Sequence, residues 1–384
     1  MEKIRLTCPC LFGVESVLAF EVKRLGVEDV EVTDGRVSFT GTPEDIVRAN
    51  IRLRCAERVQ ILLASFEARS FEELFQGVLA TELERYIGVT DAFPVKGYSL
   101  NSQLHSVPDC QRIIKKAAAK RLERCYHRSW FEECGAVKQL QFSIYKDRVL
   151  LLLDTSGEGL HKRGYRPSAN AAPIRETLAA AIADLAHVRS DSLVVDPFCG
   201  SGTLLIEPAL RAMDIAPGLR RKFAFESWGW QELEHGFIAD YRRECVAMIN
   251  HKAGFFAKGF DIDPDMQRLT ALNARNAGVG PRISAQTADV RDFDAEKLLP
   301  NGGIVLCNPP YGERLLDVRE AEKLYREMGR VFTPDESTGY YIITPDEDFE
   351  RIFGRRADRR RKLYNGMIRC TLYMYFAQRV KRYK

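Results

Sequence analysis

The chain has 384 residues, 45% of them apolar and 29% charged, with a formal charge of +4. This length exceeds one ordinary core and points to two or three domains, and the balance excludes disordered and low-complexity classes. The longest aliphatic run, 149–153, is far too short to span a bilayer and the N-terminus has no secretory pattern, so a cytoplasmic protein without membrane association is expected.

Residues 4–7 read as a strand and 12–25 as a helix, with Val14, Val17, Leu18, Val22 and Leu25 at helical spacing. Val30-Glu31-Val32 and Val37-Ser38-Phe39 flank an Asp34-Gly35 turn, a hairpin signal. Thr42-Pro43-Glu44-Asp45 supplies an N-cap, a first-turn proline and acids for a helix to about 54, followed by a strand over 58–63. This βαββαβ order predicts a ferredoxin-like domain over residues 1–65.

Residues 66–155 predict a second α/β unit: a helix over 71–83, a strand over 94–100, a helix over 109–127 and strands over 137–144 and 148–153. In the longer helix Ile114, Ala118, Leu122 and Cys125 make an apolar face, while Arg112, Lys116, Lys120 and Arg124 recur every fourth residue. That stripe suits phosphates, and an ordinary solvated helix face accounts for it about equally well. Gly157 and Gly159 open a linker over 156–170, and the rest of the chain, 171–384, is the third unit.

From Leu193 the pattern alternates strand and helix, as in a parallel α/β sheet. Leu193-Val194-Val195 ends in Asp196, a turn with Gly200 and Gly202 follows, and Thr203 starts a helix, an arrangement that lets a ligand approach backbone N–H groups at a helix N-terminus. A phosphate-binding loop would need Gly-Lys-Ser/Thr, and a dinucleotide fingerprint would want glycine where Leu205 stands. Asp196 is a poor neighbour for pyrophosphate and a good acceptor for an amino-acid ammonium, which S-adenosylmethionine carries. Asp261, ending the next strand, can accept ribose hydroxyls, and Asp289, after a third strand, can accept the adenine amine.

The fourth strand, 303–307, runs into Asn308-Pro309-Pro310-Tyr311. The prolines stiffen a loop in which the Asn308 side-chain oxygen and the Pro309 carbonyl converge, and Tyr311 offers a flat face. Two acceptors and a stacking surface suit a planar exocyclic amine. Cys199 and Cys307 are weighed as nucleophiles for attack on a pyrimidine carbon and read as packing residues, since that chemistry wants its thiol after the prolines. Ten cysteines without a Cys-x-x-Cys pair read as reduced thiols, and six histidines without ligand spacing imply no metal.

Asp196-Pro-Phe-Cys-Gly-Ser-Gly-Thr-Leu-Leu-Ile-Glu207 together with Asn308-Pro-Pro-Tyr-Gly-Glu-Arg-Leu315 resembles the class I RNA methyltransferases that carry an N-terminal THUMP domain, notably the guanine-N2 half of the bacterial large-subunit ribosomal RNA enzyme. Residues 1–155 resemble its ferredoxin-like and THUMP region, Arg163-Gly-Tyr-Arg166 and Ala172-Pro-Ile-Arg-Glu-Thr177 the lead-in segment, and Arg360-Arg-Lys-Leu-Tyr-Asn-Gly366 the terminal hairpin. The resemblance implies an α/β protein with a Rossmann-like class I methyltransferase domain, S-adenosylmethionine as cofactor and RNA as partner. It places Thr177, Asp196, Phe198, Gly200, Gly202, Thr203, Asp261, Ile262, Asp289, Val290 and Asn308 at the cofactor, and Asn308, Pro309 and Tyr311 at the reacting base. Because the chain stops at Lys384, a second, guanine-N7 activity is not expected.

Guanine N2 of 23S ribosomal RNA is the preferred target, with guanine N2 of tRNA and adenine N6 of DNA or RNA as alternatives, and an inactive assembly factor as the rival class. Two basic surfaces are expected to hold RNA: the helix stripe and the C-terminal segment, where Asp358 is the only acid between Arg351 and Lys384. The N-terminal module is expected to act at a distance, so that a chain without residues 1–155 keeps its cofactor.

Overall fold

The computed structural model describes all residues except 1–2, 167–173, 231–232, 234, 312–317, 334–336 and 378–384. Part of the lead-in segment (Ala172), Gly312 to Leu315 and the basic residues Arg379, Lys381, Arg382 and Lys384 lie outside the described residues.

The N-terminal module contains β1 (Ile4–Pro9), α1 (Glu15–Lys23), β2 (Glu28–Thr33), β3 (Arg36–Gly41), α2 (Pro43–Arg52), β4 (Gln60–Glu67), α3 (Phe71–Leu79), β5 (Val95–Leu100), α4 (Val107–Tyr126), β6 (Leu140–Tyr145) and β7 (Arg148–Asp154). The start of α2 follows its sequence signal: Pro43 occupies the first turn, and Asp45 Oδ2 accepts the Thr42 N–H at 2.9 Å. The two expected α/β units share one seven-stranded sheet in the order β2-β3-β1-β4-β7-β6-β5. Strand β4 makes the join. Its first residues pair with β1, its whole length pairs with β7, and a register shift between Leu62 and Ala64 bends it from one unit into the other. The expected boundary at residue 65 therefore falls inside a strand.

The second half contains α5 (Glu176–Leu185), β8 (Leu193–Asp196), α6 (Thr203–Ala212), α7 (Phe237–Ala247), β9 (Phe256–Asp261), α8 (Pro264–Ala277), β10 (Ile283–Thr287), α9 (Ala295–Leu298), β11 (Gly303–Cys307), α10 (Val318–Val331), β12 (Thr338–Thr344), α11 (Phe349–Phe353), β13 (Arg359–Asn365) and β14 (Ile368–Tyr375). Its sheet runs β10-β9-β8-β11-β12-β14-β13, parallel through β12, with the β13–β14 hairpin entering antiparallel. The order reverses between β8 and β11, which pair through Val194–Ile304 and Val195–Val305. The carboxyl ends of strands flanking such a reversal form a crevice that helices cannot cover.

The halves are not beads on a linker. One hydrophobic core runs from Leu6 and Leu18 through Leu178 to Leu205. The Gly218 N–H donates to the Ile51 carbonyl at 2.9 Å, and Arg361 of β13 donates to the Gly13 carbonyl and the Ser16 hydroxyl, each at 2.7 Å. The expected linker is itself buried at Leu160, Arg163 and Tyr165. Arg163 lies between the halves, with Nη1 donating to the Leu160 carbonyl at 2.5 Å, Nη2 donating to the Arg54 carbonyl, and Nε 3.5 Å from Glu207 Oε1, a coulombic contact longer than a hydrogen bond. Glu207 has no exposed surface and takes a hydrogen bond from the Tyr165 hydroxyl at 3.1 Å.

This packing bears on the expectation that a chain without residues 1–155 keeps its cofactor. Removing residues 1–155 would strip the partner from a continuous apolar face, so the shortened chain should lose its cooperative thermal transition and with it cofactor binding, as differential scanning calorimetry would show. Likewise Arg163→Met removes a charge that helps keep buried Glu207 ionised against the upward push of burial, and should destabilise by about 3–5 kcal/mol, while the paired Arg163→Met/Glu207→Met change should restore much of that, read from urea unfolding.

Candidate active site

Asp196 ends β8 and Asn308 follows β11, so the two motifs, distant in sequence, stand on adjacent strands at the point of reversal. Between them lies a cavity of about 890 Å³, within the range of small-molecule sites. It is lined by Asp196, Phe198, Gly200, Thr203, Asp261, Ile262, Asp289, Val290, Asn308, Pro309 and Tyr311, eleven of the thirteen residues expected from sequence.

The exceptions are Thr177 and Gly202. Thr177 is buried in the first turn of α5, where its hydroxyl donates to Glu57 Oε1 at 2.5 Å, so it faces the N-terminal module; Ile174, three residues earlier, reaches the cavity instead. Gly202 acts behind the wall. Its φ of +82° makes it the left-handed N-cap of α6, and a Cβ there would lie 2.8 Å from Thr270 Cγ2. Gly200, also left-handed at +49°, would meet nothing within 4 Å, so its open side faces free space on the cavity wall.

The loop is held in shape from three sides. The Gly200 N–H donates to Asp261 Oδ2 at 2.9 Å, the Thr270 hydroxyl donates to the Gly200 carbonyl at 2.8 Å, and Asn273 Nδ2 donates to the Ser201 carbonyl at 2.9 Å. Thr270 and Asn273 were not read from sequence, since only the structure shows that both are fully buried on α8. Arg166 adds a brace, donating to Glu176 Oε1 at 2.9 Å and to the Thr203 hydroxyl at 3.2 Å.

Asp196 is 1% exposed and accepts the Phe198 N–H at 3.0 Å. Burial drives its carboxyl up, the Phe198 bond offsets part of this, and the neighbouring Asp261 charge adds to it, leaving the group at about 8. Asp289 is held below the usual carboxylate range, first by hydrogen bonding from Arg291, whose Nε lies 3.0 Å from Oδ1. Ile262 is 70% exposed at the rim, an apolar cover for a planar group. The residue set fits S-adenosylmethionine: buried Asp196 and half-buried Asp261 would take a cationic amino acid and ribose, Ile262 and Val290 the adenine faces, and Asp289 its amine. Cys199 and Cys307 are buried and their thiols pushed far up by burial, so neither presents a thiolate. Tyr311 is only 7% exposed and lines the cavity.

Because the folded value of Asp196 lies above its unfolded one, near 3.9, its protonated form favours the folded state, and this contribution fades as pH rises from about 4 to about 8. A cationic ligand requires the ionised form. Cofactor affinity should therefore rise with pH, by up to about tenfold per unit below pH 8, and binding at pH 6.5 should release about one proton. Titration calorimetry in buffers of different ionisation heat would measure that release, and Asp196→Asn should abolish it.

Comparison with known proteins agrees with this geometry. Residues 163–374 match the family described as the RMKL-like methyltransferase domain, residues 5–60 the RlmL ferredoxin-like domain and residues 68–154 the THUMP domain. The chain is 42% identical over 380 residues, 98% of this chain and 97% of the other, to YpsC of Bacillus subtilis, named a candidate RNA methyltransferase. It is 33% identical to the ribosomal RNA large subunit methyltransferase K/L of Psychromonas ingrahamii, over 96% of this chain but 49% of that protein, so it spans about half of that relative. Among solved structures, SMU.472, named a candidate methyltransferase and complexed with SAH, superposes with a TM-score of 0.91 at 40% identity, covering 99% of both chains. The cavity of paired strand ends, the shaped glycine loop and these matches together establish the chain as a member of the THUMP-containing, RMKL-like class I methyltransferases, which use S-adenosylmethionine.

Proposed function

We propose that this protein methylates an exocyclic base amine in RNA, most consistently guanine N2 of large-subunit ribosomal RNA. The observation that carries the reading is the Asn308-Pro309 pair at the end of β11, opening into the same cavity as the Asp196 loop. When bound, the cofactor supplies an electrophilic methyl group on sulfur. Asn308 Oδ1 and the Pro309 carbonyl would each accept one N–H of the amine, which aims its lone pair along the axis of transfer; the N–C bond would form as the S–C bond breaks, leaving a neutral thioether, and the methylated amine would give its extra proton to water. Rate comes from positioning and from acceptors that stabilise the developing positive nitrogen.

The RNA assignment is supported by the THUMP match and by the surface of α4, where Arg112, Lys116, Lys120 and Arg124 are all exposed. Arg112 pairs with Asp109, and Lys120 with Glu123 at 2.9 Å, but both are exposed surface pairs that cost little to exchange for a phosphate. In the second expected basic surface part of the charge is paired. Arg351 pairs with Asp348, Arg360 with Glu350 and Arg369 with Glu347, while Arg361 is used against the N-terminal module. The paired acids lie just upstream of residue 351, and Arg356, Arg359 and Lys362 stay exposed.

Adenine N6 shares the amine chemistry, and the target is settled by mass spectrometry of nucleosides from ribosomal and transfer RNA of a strain lacking the gene. Loss of N2-methylguanosine from 23S RNA is the expected result; a loss confined to N6-methyladenine would replace it. In vitro, Asn308→Ala should lower turnover about a hundredfold or more with cofactor affinity nearly unchanged. Lys116→Ala should leave turnover at saturating RNA intact and reduce the log-log salt slope of RNA affinity by about one.

A further inference from the structure

The β13–β14 hairpin rises past the sheet edge on which the active site opens. Thr371 of β14 pairs with Thr344, the last residue of β12, and the ladder of the hairpin continues to Asn365–Ile368, so its last three pairs lie beyond the carboxyl edge. At about 3.4 Å per residue the tip stands about 10 Å past that edge. Only β12 separates β14 from β11, the strand that runs into Asn308.

This projection has a firm base. Leu363 has no exposed surface, Asn365 is buried, Arg361 is tied to Gly13 and Ser16, and the Phe12 ring meets that of Tyr364 edge-on with centroids 5.8 Å apart. Two residues, Gly366 and Met367, close the turn, and Gly366 takes a φ of +67°. A two-residue loop with glycine in first position leaves the chain little freedom. Yet Met367 at its apex is 96% exposed.

One exposed apolar residue is ordinary by itself. This one is held out on a rigid support, at the edge that bears the active site, and cations flank it. Lys362 is exposed, and Arg369, opposite Tyr364 in the hairpin, meets Glu347 at 3.3 Å in an ion pair exposed on both sides. Such a pair exchanges readily for a phosphate. An apolar point this narrow is too small for a stable protein interface, whereas it matches the gap between two bases.

We propose that Met367 is a positioning residue for the RNA substrate: it acts as a wedge in the base stack where the target base has turned out into the cavity, while Lys362 and Arg369 hold the flanking phosphates. The inference rests on the RNA reading above. A base whose amine reaches Asn308 must leave its stack, and the space it vacates lies outside the carboxyl edge, where the hairpin projects. A flexible, unbranched thioether that fills this space restores part of the lost contact and hinders the base from returning.

The test uses the full chain, S-adenosylmethionine with a tritiated methyl group, and RNA extracted from a strain lacking the gene. On magnesium-folded RNA, Met367→Ser should lower the single-turnover rate about tenfold with affinities for RNA and S-adenosylmethionine nearly unchanged, and Met367→Leu should restore most of the rate. On the same RNA without magnesium, where the target base is less firmly stacked, the gap between Met367→Ser and wild type should narrow to about threefold or less. A purely structural fault would lower both rates alike. An active wild type matched by Met367→Ser on folded RNA, or a loss of equal size on both forms of RNA, would overturn the wedge and leave the RNA reading intact. A wild type that transfers methyl to no RNA would overturn that reading and the wedge with it.

Discussion

The buried carboxylate of Glu207, in the middle of α6 with no exposed surface, fixes how the two halves of this molecule meet. A charge so placed is tolerated only with partners in set positions, and here they come from the segment that joins the halves: Tyr165 by a hydrogen bond and Arg163 by charge. Arg163 in turn holds the carbonyls of Leu160 and Arg54. A hydrophobic seam alone would allow sliding, whereas this network permits one register. Since the N-terminus of α6 is the wall of the cofactor cavity, the register of the N-terminal module on its back also sets the site.

A second tie does the same from the other side. Glu57, just before β4, accepts Thr177 at 2.5 Å, Arg175 at 3.0 Å and His161 at 3.2 Å. Burial works against its charge, but the hydrogen bonds from His161 and Thr177, with the charges of His161 and Arg175, leave it below the ordinary carboxylate range. It thus anchors the strap on which Ile174 meets the cavity. Thr177, expected at the cofactor by resemblance, spends its hydroxyl on this tie.

Much of this was legible in the sequence because the relevant signals are local. The hairpin around Asp34-Gly35, the cap of α2 and the order of acids after β8, β9 and β10 each depend on a few neighbouring residues, and the structure has them where expected. What could not be read is long-range. Nothing in residues 60–67 announces that one strand serves two units, since that depends on a bulge seen only through its partners. The positions of α5 and β12 were not assigned, as Ala-rich and fully buried segments lack a clear period. Thr177 and the braces Thr270 and Asn273 were misplaced or missed for the same reason: their partners lie 70 residues or more away in the chain.

The two basic regions show how the same count of charges can mean different things. On the hairpin, Arg360 meets Glu350 at 2.5 Å, a carboxylate side chain only 16% exposed, and displacing such a partner would strand a partly buried charge. On α4, Arg112 and Lys120 are paired three residues along the helix at exposed positions, where solvent and salt already weaken the attraction. A phosphate offers such side chains a better partner at almost no loss, and each contact gains from counterion release. The α4 pairs are thus the easier to exchange for another anion, whereas Arg360 and Arg361 of the hairpin are engaged with Glu350 and the N-terminal module.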